Sequence, residues 1–280
     1  MIDNAGSLYI VNDRLIEQRE LSGADITDSV VYEVIRIIDL APLFFEDHYM
    51  RLKNSLSILG KELEFTKQQL AYSIQKLVKA NNLVSCNVKV VIFYEGNIQS
   101  CLAYISKSYY PSSEEINRGV QAALFNWERK NPNIKILSAE YKRAVSEKLA
   151  EGNYFELLLV NSAGKITEGS KSNVFFVKGT KVFTAPGEYV LKGVTREYII
   201  NVCIKLGMEL VETLIDVDLL DKMEGVFISG TSIKVLPVSG IGSVKYSSGD
   251  HPTIVLIRDQ FDKLVNEHVE KSRQKWTPEL

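Results

Sequence analysis

Two periods run through this chain. In LYIVND (8–13) and VVYEVIRIID (30–39), β-branched and aromatic residues alternate in part with polar ones, as in a strand with one covered face. After the Pro-containing turn APL (41–43) the period lengthens, and Met50, Leu52, Leu56 and Leu59 follow a helical spacing. A second helix is expected over TKQQLAYSIQKLVKANN (66–82). Leu70, Ile74, Leu77 and Val78 form its stripe, Thr66 is placed to cap it, and Asn81 and Asn82 to stop it. NVKVVIFYEG (87–96) and CLAYISKSYY (101–110) read as a hairpin turning at Gly96 and Asn97.

The next stretch, YYPSSEEINRG (109–119), carries a Pro, two Ser and charges between two apolar runs, and reads as a linker. Beyond it come the apolar VQAALFNW (120–127), the charged ERKNPNIK (128–135), and an amphipathic helix from about Ser138 to Glu151. Two hairpins follow, YFELLLVNSAGKITEG (154–169) turning at Ser162-Ala163-Gly164 and NVFFVKGTKVFTAP (173–186) turning at Gly179. GVTREYIINVCIKLG (193–207) reads as a helix closed by Gly207, and a short helix is expected over 217–222. A strand, GVFISG (225–230), and a C-terminal helix over 253–272 complete the pattern. Paired strands interspersed with helices make this an α+β chain. The expected organisation is a small N-terminal α/β domain over 1–112, a linker over 113–120, and a larger domain over 121–280.

Composition narrows the class. Of 280 residues, 45% are apolar and 24% charged, the mixture of a soluble globular protein. A formal charge of −2 gives no electrostatic footprint for nucleic acid or an anionic membrane. No apolar run reaches the length of a membrane span, and the N-terminal MIDNAGSLYI lacks a basic-then-apolar leader. Cys86, Cys101 and Cys203 show no close pairing motif, which favours a reducing, cytoplasmic compartment. His48, His251 and His268 are far apart in sequence, with no metal-ligand spacing, so no metal is expected.

Three turns in the second half could carry chemistry. TEGSKSNVFF (167–176) sets Glu168 and the small residues Gly169, Ser170, Ser172 and Asn173 before a strongly apolar strand. LKGVTRE (191–197) places Gly193 before a helix that begins near Val194 and Thr195. ISGTSIKVLPV (228–238) runs a strand into Gly230, Thr231 and Ser232. The last two offer backbone N–H groups and hydroxyls, and one adds a helix dipole; these are the ingredients of a phosphate site. Any strand-to-helix turn shares them, so each alone is a weak signal.

Together, in this order and at these separations, TEGSKSNVFFV, VLKGVTRE and SGTSIKVLPV resemble the signature segments of the fold-type-IV pyridoxal phosphate enzymes. That family includes branched-chain and D-amino acid aminotransferases and aminodeoxychorismate lyases. VYEVIRI (31–37) and HYMRLKNS (48–55) match its N-terminal segments. The resemblance implies a two-domain α+β fold whose larger, cofactor-binding domain has a β-barrel-like core, and a homodimer. It also implies Lys135 as the amine of the internal Schiff base, set back suitably from Glu156 and Glu168. Ile134, Ile136 and Leu137 flank that amine and should desolvate it. Lys130, Lys142 and Lys148 are the rivals; the first lies in a charged turn and the others have solvated-face spacing.

The same resemblance implies Glu168 as the acid facing the pyridine nitrogen, with Ser172 and Asn173 among the cofactor-binding residues and Asn173 also holding the loop. For the phosphate it implies Arg51, Gly193, the backbone N–H groups of Val194 and Thr195, Gly230 and Thr231, with Leu191 packed against the ring. On the substrate side it implies Tyr32, and Lys89, Thr231 and Ser232 are the further candidates. Here the chain departs from the pattern. YEGNIQSCLAY (94–104) lacks the Arg and His of D-amino acid aminotransferases, and Asn87 and Lys89 stand where branched-chain enzymes have Tyr and Arg. Lys89 is then either a point charge for a carboxylate or a solvated strand lysine. Ser138 stands where many members have Asn, and the role of the nearby Tyr141 is open. The expected activity is transfer of an amino group between an amino acid and a 2-oxo acid. A carbon–carbon lyase and a non-catalytic cofactor-binding scaffold are the alternatives.

Overall fold

A single polar residue breaks the apolar face of the strand over residues 31–38, and it organises the first half of the chain. The computed structural model describes residues 4–17, 20, 30–136 and 138–276; Leu137, expected to flank Lys135, lies outside the described residues. Contacts divide the chain into two units, Met1–Ser108 with Ile134–Ala139 and Val265–Leu280, and Tyr109–Asn133 with Glu140–Leu264.

The first unit is a six-stranded sheet of β1 (Asn4–Val11), β2 (Arg14–Glu17), β3 (Val31–Ile38), β4 (Ala41–Pro42), β5 (Cys86–Glu95) and β6 (Ile98–Ser106), in the order β2-β1-β6-β5-β3-β4. All its pairings are antiparallel. Helices α1 (Phe45–Ile58) and α2 (Lys67–Ala80) share a core with one face of the sheet. α2 forms as its pattern requires, with a Thr66–Gln69 capping box, Asn81 at its end, and Leu70, Ile74, Leu77 and Val78 buried. In α1 the buried stripe is Phe45, His48, Leu52, Ser55 and Leu56, while Met50 is exposed. Two polar residues thus occupy positions that hydrophobicity alone assigns elsewhere. The β3 positions alternate, with Val31, Glu33, Ile35 and Ile37 buried.

Residues 134–136 join this unit by an antiparallel bridge between Val31 and Ile136 and by the Tyr32 N–H, which donates to the Lys135 carbonyl at 3.0 Å. That recruitment is non-local, and a chain-order division at 112 does not contain it. The linker expected over 113–120 is ordered: Ser113–Arg118 forms α3, closed by a Ser112–Glu115 capping box.

The second unit is a ten-stranded sheet curled into a half-barrel. Its strands are β7 (Val120–Asn126), β8 (Glu156–Val160), β9 (Lys165–Gly169), β10 (Asn173–Lys178), β11 (Lys181–Thr184), β12 (Glu209–Glu212), β13 (Ile215–Asp216), β14 (Gly225–Gly230), β15 (Lys234–Ile241) and β16 (Val244–Lys245). The order is β12-β11-β10-β14-β15-β7-β8-β9-β13, with β16 on β15. Small and branched residues such as Ala122, Leu158, Val174, Ile228 and Leu236 fill one core. The stacked rings of Phe175 and Phe227, 4.7 Å apart, lie in the alternate register. β15 is a strand that the sequence hides, because Pro237 argues against a central strand. Its parallel pairing with β7 begins only at Val238, so the missing N–H falls before that ladder. Helices α4 (Ala139–Ala150) and α5 (Val194–Lys205) precede β8 and β12 in the chain, and Val217–Lys222 is a 3₁₀ turn. The last helix, α6 (Pro252–Trp276), contributes residues to both units. Among the described residues no helix is long and apolar enough to cross a membrane.

Candidate functional site

In the first unit, Glu33 sits wholly buried on the core face of β3. A carboxylate there requires compensation, and α1 supplies it from His48 and Arg51, three residues apart and so on one helix face. Arg51 donates from Nε to Oε1 and from Nη2 to Oε2, both at 2.7 Å, and His48 Nδ1 lies 2.8 Å from Oε2. Burial pushes the Glu33 carboxyl upward, but the Arg51 charge and the hydrogen bonds from Arg51 and His48 override it and hold the group at about 2. Burial also lowers His48 against the pull of Glu33. For Arg51, burial opposes its charge and Glu33 more than restores it, so its pKa is raised. The guanidinium is fixed in direction by a bidentate partner.

Tyr32, Lys89 and Lys135 meet at one ring. Lys135 Nζ lies 4.9 Å and Lys89 Nζ 4.8 Å from the Tyr32 centroid, and Lys89 is also 5.8 Å from that of Tyr104. Lys89 is only 7% exposed, so it is not a solvated strand lysine. Lys135 is half-buried between Ile134 and Ile136, which join the apolar core. The rival lysines differ: Lys130 and Lys142 are exposed, and Lys148 pairs with Glu151.

In the second unit the three turns converge through strand register. Asn173, at the start of β10, pairs with Ser229 of β14, so residues 170–172 and 230–232 share one end of the sheet. Asn173 Nδ2 donates to the Leu191 carbonyl at 2.9 Å, which brings in the turn before α5. A Cβ on Gly193 would collide with the Asn173 Oδ1, so a side chain there would have to displace Asn173 from its bond to Leu191 or move the turn. No side chain caps α5 at Gly193, and the first-turn residues Val194 and Thr195 are buried. Arg196 pins that turn, donating to the Ala185 carbonyl and to Glu212. Leu191 is half-buried, and Thr231 and Ser232 lie at the tip of the β14–β15 hairpin.

Glu168 is 3% exposed. Its Oε1 accepts from Arg129 at 3.0 Å; its Oε2 accepts from the Leu191 N–H at 3.0 Å and, at 3.5 Å, from Asn173. Sequence reasoning missed Arg129, whose only local sign is its place two beyond Trp127 and four beyond Phe125, rings that stack at 5.8 Å. It also missed the partners of Ser170 and Ser172. Ser172 Oγ donates to the buried Glu156 at 2.8 Å, so its hydroxyl is engaged within the protein. Tyr141 donates to the Ser170 carbonyl at 2.9 Å.

These donor sets fit the group that the resemblance implies. A carboxylate fixed by a cation and an amide is an acceptor for a protonated ring nitrogen, and an uncapped helix start beside a glycine suits a phosphate.

Comparison with known proteins gives a consistent result. The family model for amino-transferase class IV matches residues 30–241. The chain is 29% identical over 260 residues to the D-alanine aminotransferase of Bacillus licheniformis, covering 86% of this chain and 90% of that protein. It is 27% identical over 251 residues to the branched-chain-amino-acid aminotransferase of Salmonella typhimurium, covering 78% of each. Among solved structures, a T.th. branched-chain amino acid aminotransferase with pyridoxamine 5'-phosphate has a TM-score of 0.84 at 22% identity, covering 98% of both chains.

Proposed function

The chain belongs to the amino-transferase class IV family and is a pyridoxal phosphate-dependent aminotransferase; from that premise we propose which of its residues perform the transfer. Lys135 is the reacting amine, Glu168 the acid toward the ring nitrogen, and Arg51 with the Val194 and Thr195 amides the phosphate ligands. Gly193, Gly230, Thr231 and Asn173 shape the cradle. When bound, the cofactor supplies an aldehyde for the substrate amine and an electron-withdrawing ring that stabilises charge at the substrate α-carbon.

Each protein group has a defined task. Lys135 Nζ takes the proton from the substrate α-carbon and returns it to the acceptor carbon. Glu168 holds the ring nitrogen in its protonated form, and Arg129 and the Leu191 amide hold Glu168. Glu33 orients the Arg51 fork, which presents a fixed cation to an anionic group. Lys89 and Tyr32 read the substrate, Lys89 as a buried point charge for a carboxylate, with Thr231 and Ser232 adding hydroxyls. The observation that carries this reading is the Glu168 site, a buried acid aimed by a cation, an amide and an amide side chain.

D-alanine and the L-branched-chain amino acids are the donors that the named relatives suggest. Pyridoxal phosphate is added and each donor is tested for converting the bound aldehyde to the amine form, followed by absorbance. Conversion by at least one donor is expected, with 2-oxo acid restoring the aldehyde. In Lys135→Ala the absorption of the lysine-bound cofactor and turnover are lost while the fold stays intact; a variant that transaminates at wild-type rate overturns the assignment. A homodimer is inferred from the family and is checked by light scattering. A cytoplasmic location is supported by three free, buried cysteines.

A further inference from the structure

We propose that Glu156 is a positioning residue for this reaction: through Ser170 and Ser172 its carboxylate sets the turn from which Glu168 and Asn173 project. The proposal rests on the reading of Glu168 as the acid toward the ring nitrogen.

Glu156 opens β8 and is 4% exposed. No Lys, Arg or His pairs with it among the described residues, so its charge is met entirely by neutral donors. Oε1 accepts from the Leu157 N–H at 2.8 Å, the Ser170 N–H at 3.0 Å and the Ser170 hydroxyl at 2.5 Å. Oε2 accepts from the Ser172 hydroxyl at 2.8 Å and the Lys171 N–H at 3.4 Å. Four of these five donors come from one three-residue turn, whose successive N–H groups converge on the carboxylate as they do on a bound anion.

The turn is shaped to close on that acid. A Cβ on Gly169 would overlap Ser172 Oγ and lie 3.1 Å from the Glu156 carboxyl carbon, so a side chain there would drive the two apart. The Gly169 N–H donates to the Ser172 carbonyl at 2.7 Å and completes the turn. Its two ends are the residues that matter: Glu168 precedes Gly169, and Asn173, which holds Leu191 and touches Glu168, follows Ser172. A change in the Glu156 contacts is therefore passed directly to the Glu168 carboxylate. A merely space-filling residue at 156 would need no such donor array, and an apolar one would take the Glu156 acceptor from the Ser170 and Ser172 hydroxyls, while the Ser170 N–H would keep its 2.8 Å bond to the Leu157 carbonyl.

The test uses holoenzyme loaded with cofactor labelled with ¹⁵N in the ring, in wild type and in E156Q, S172A and E168Q. The readouts are the ring-nitrogen chemical shift, the cofactor dissociation constant and the thermal midpoint. E156Q keeps the side-chain shape but turns one acceptor into a donor facing Ser172 and Lys171. It is expected to move the nitrogen signal from the wild-type position toward that of E168Q and to weaken cofactor binding about tenfold. S172A is expected to move both in the same direction by less. Wild-type nitrogen signal and affinity in E156Q overturn the proposal; so do wild-type values in S172A should E156Q fail to fold. A lowered thermal midpoint with an unmoved nitrogen signal reduces Glu156 to a structural residue and also overturns it. An E168Q holoenzyme with an unchanged nitrogen signal instead sinks the assignment of Glu168 itself.

Discussion

Replacing Arg51 by Met removes the main counter-charge of a wholly buried carboxylate, and the structure sets the size of the effect. Glu33 is held at about 2 against an ordinary 4.5, a displacement equivalent to roughly 3 kcal/mol. Independently, breaking a buried ion pair by deleting one partner costs about 3–5 kcal/mol, because the remaining charge stays desolvated. Arg51→Met is therefore expected to lose about 3 kcal/mol at pH 7. The assay is urea unfolding of the cofactor-free protein, so that any phosphate contact of Arg51 does not enter, with the midpoint read at constant slope. The wild-type contribution of Glu33 is fully present above pH 4.5 and is lost as pH falls toward 2, since the unfolded chain binds the proton first. In the variant, burial without Arg51 raises the carboxyl, so Glu33 takes up its proton at higher pH and the gap from wild type narrows on acidification. Arg51→Met combined with Glu33→Gln removes the stranded charge and is expected to recover about half the loss. A single variant within about 1 kcal/mol of wild type refutes the reasoning, as does a double variant no more stable than the single.

Three further outcomes are expected. His48 and His268 are both lowered by burial, and His268 Nε2 accepts the Phe44 N–H at 3.1 Å, which requires a neutral ring. Their contribution is present above about pH 6.5 and lost as pH falls below it; urea midpoints at about pH 7.5 and about pH 5.5 should differ, and by less in His268→Gln. Gly193→Ala drives a Cβ into Asn173 Oδ1 and so displaces either Asn173, with its bond to Leu191, or the 191–195 turn. Cofactor affinity should drop about tenfold or more, and equilibrium dialysis giving wild-type affinity would count against the cradle. Thr66→Ala removes the capping box of α2 and should cost about 1 kcal/mol in unfolding experiments, an unchanged midpoint being the contrary result.

What the sequence displayed follows from how far apart the interacting groups lie along the chain. α2 was legible because its cap, stripe and stop all fall within seventeen residues and each can be read from its neighbours. The turns at 162–164 and 179 were legible for the same reason, their glycines taking φ of +73° and +60°. The three site turns stood out as motifs, and the resemblance put them in one cofactor-binding domain; what joins them, the Asn173–Leu191 bond across 18 residues and the longer-range Asn173–Ser229 register, lies beyond any local window. β15 was hidden by Pro237, and the tie of residues 134–136 to β3 crosses about a hundred positions.

The deepest gap concerns compensation. Three buried glutamates were all visible as acids, and each is satisfied differently: Glu33 by Arg51 and His48, Glu168 by Arg129 with the Leu191 amide, Glu156 by five neutral donors. A partial sign of the first exists, since Glu33 shares the parity of Val31, Ile35 and Ile37 on β3 and so must enter the core. For Glu168 the local sign is slight, the place of Arg129 two beyond Trp127, and nothing local marks the turn that meets Glu156. The small polar residues of TEGSKSN fit a loop that contacts a ligand and equally a loop that wraps an acid from another strand, and the residues alone do not separate the two. The geometry does: the Ser170 and Ser172 hydroxyls face Glu156, while the carboxylate of Glu168 faces Arg129 and Leu191. One short segment therefore meets two acids: its hydroxyls are taken up by Glu156, and its own carboxylate is held by Arg129 and the Leu191 amide.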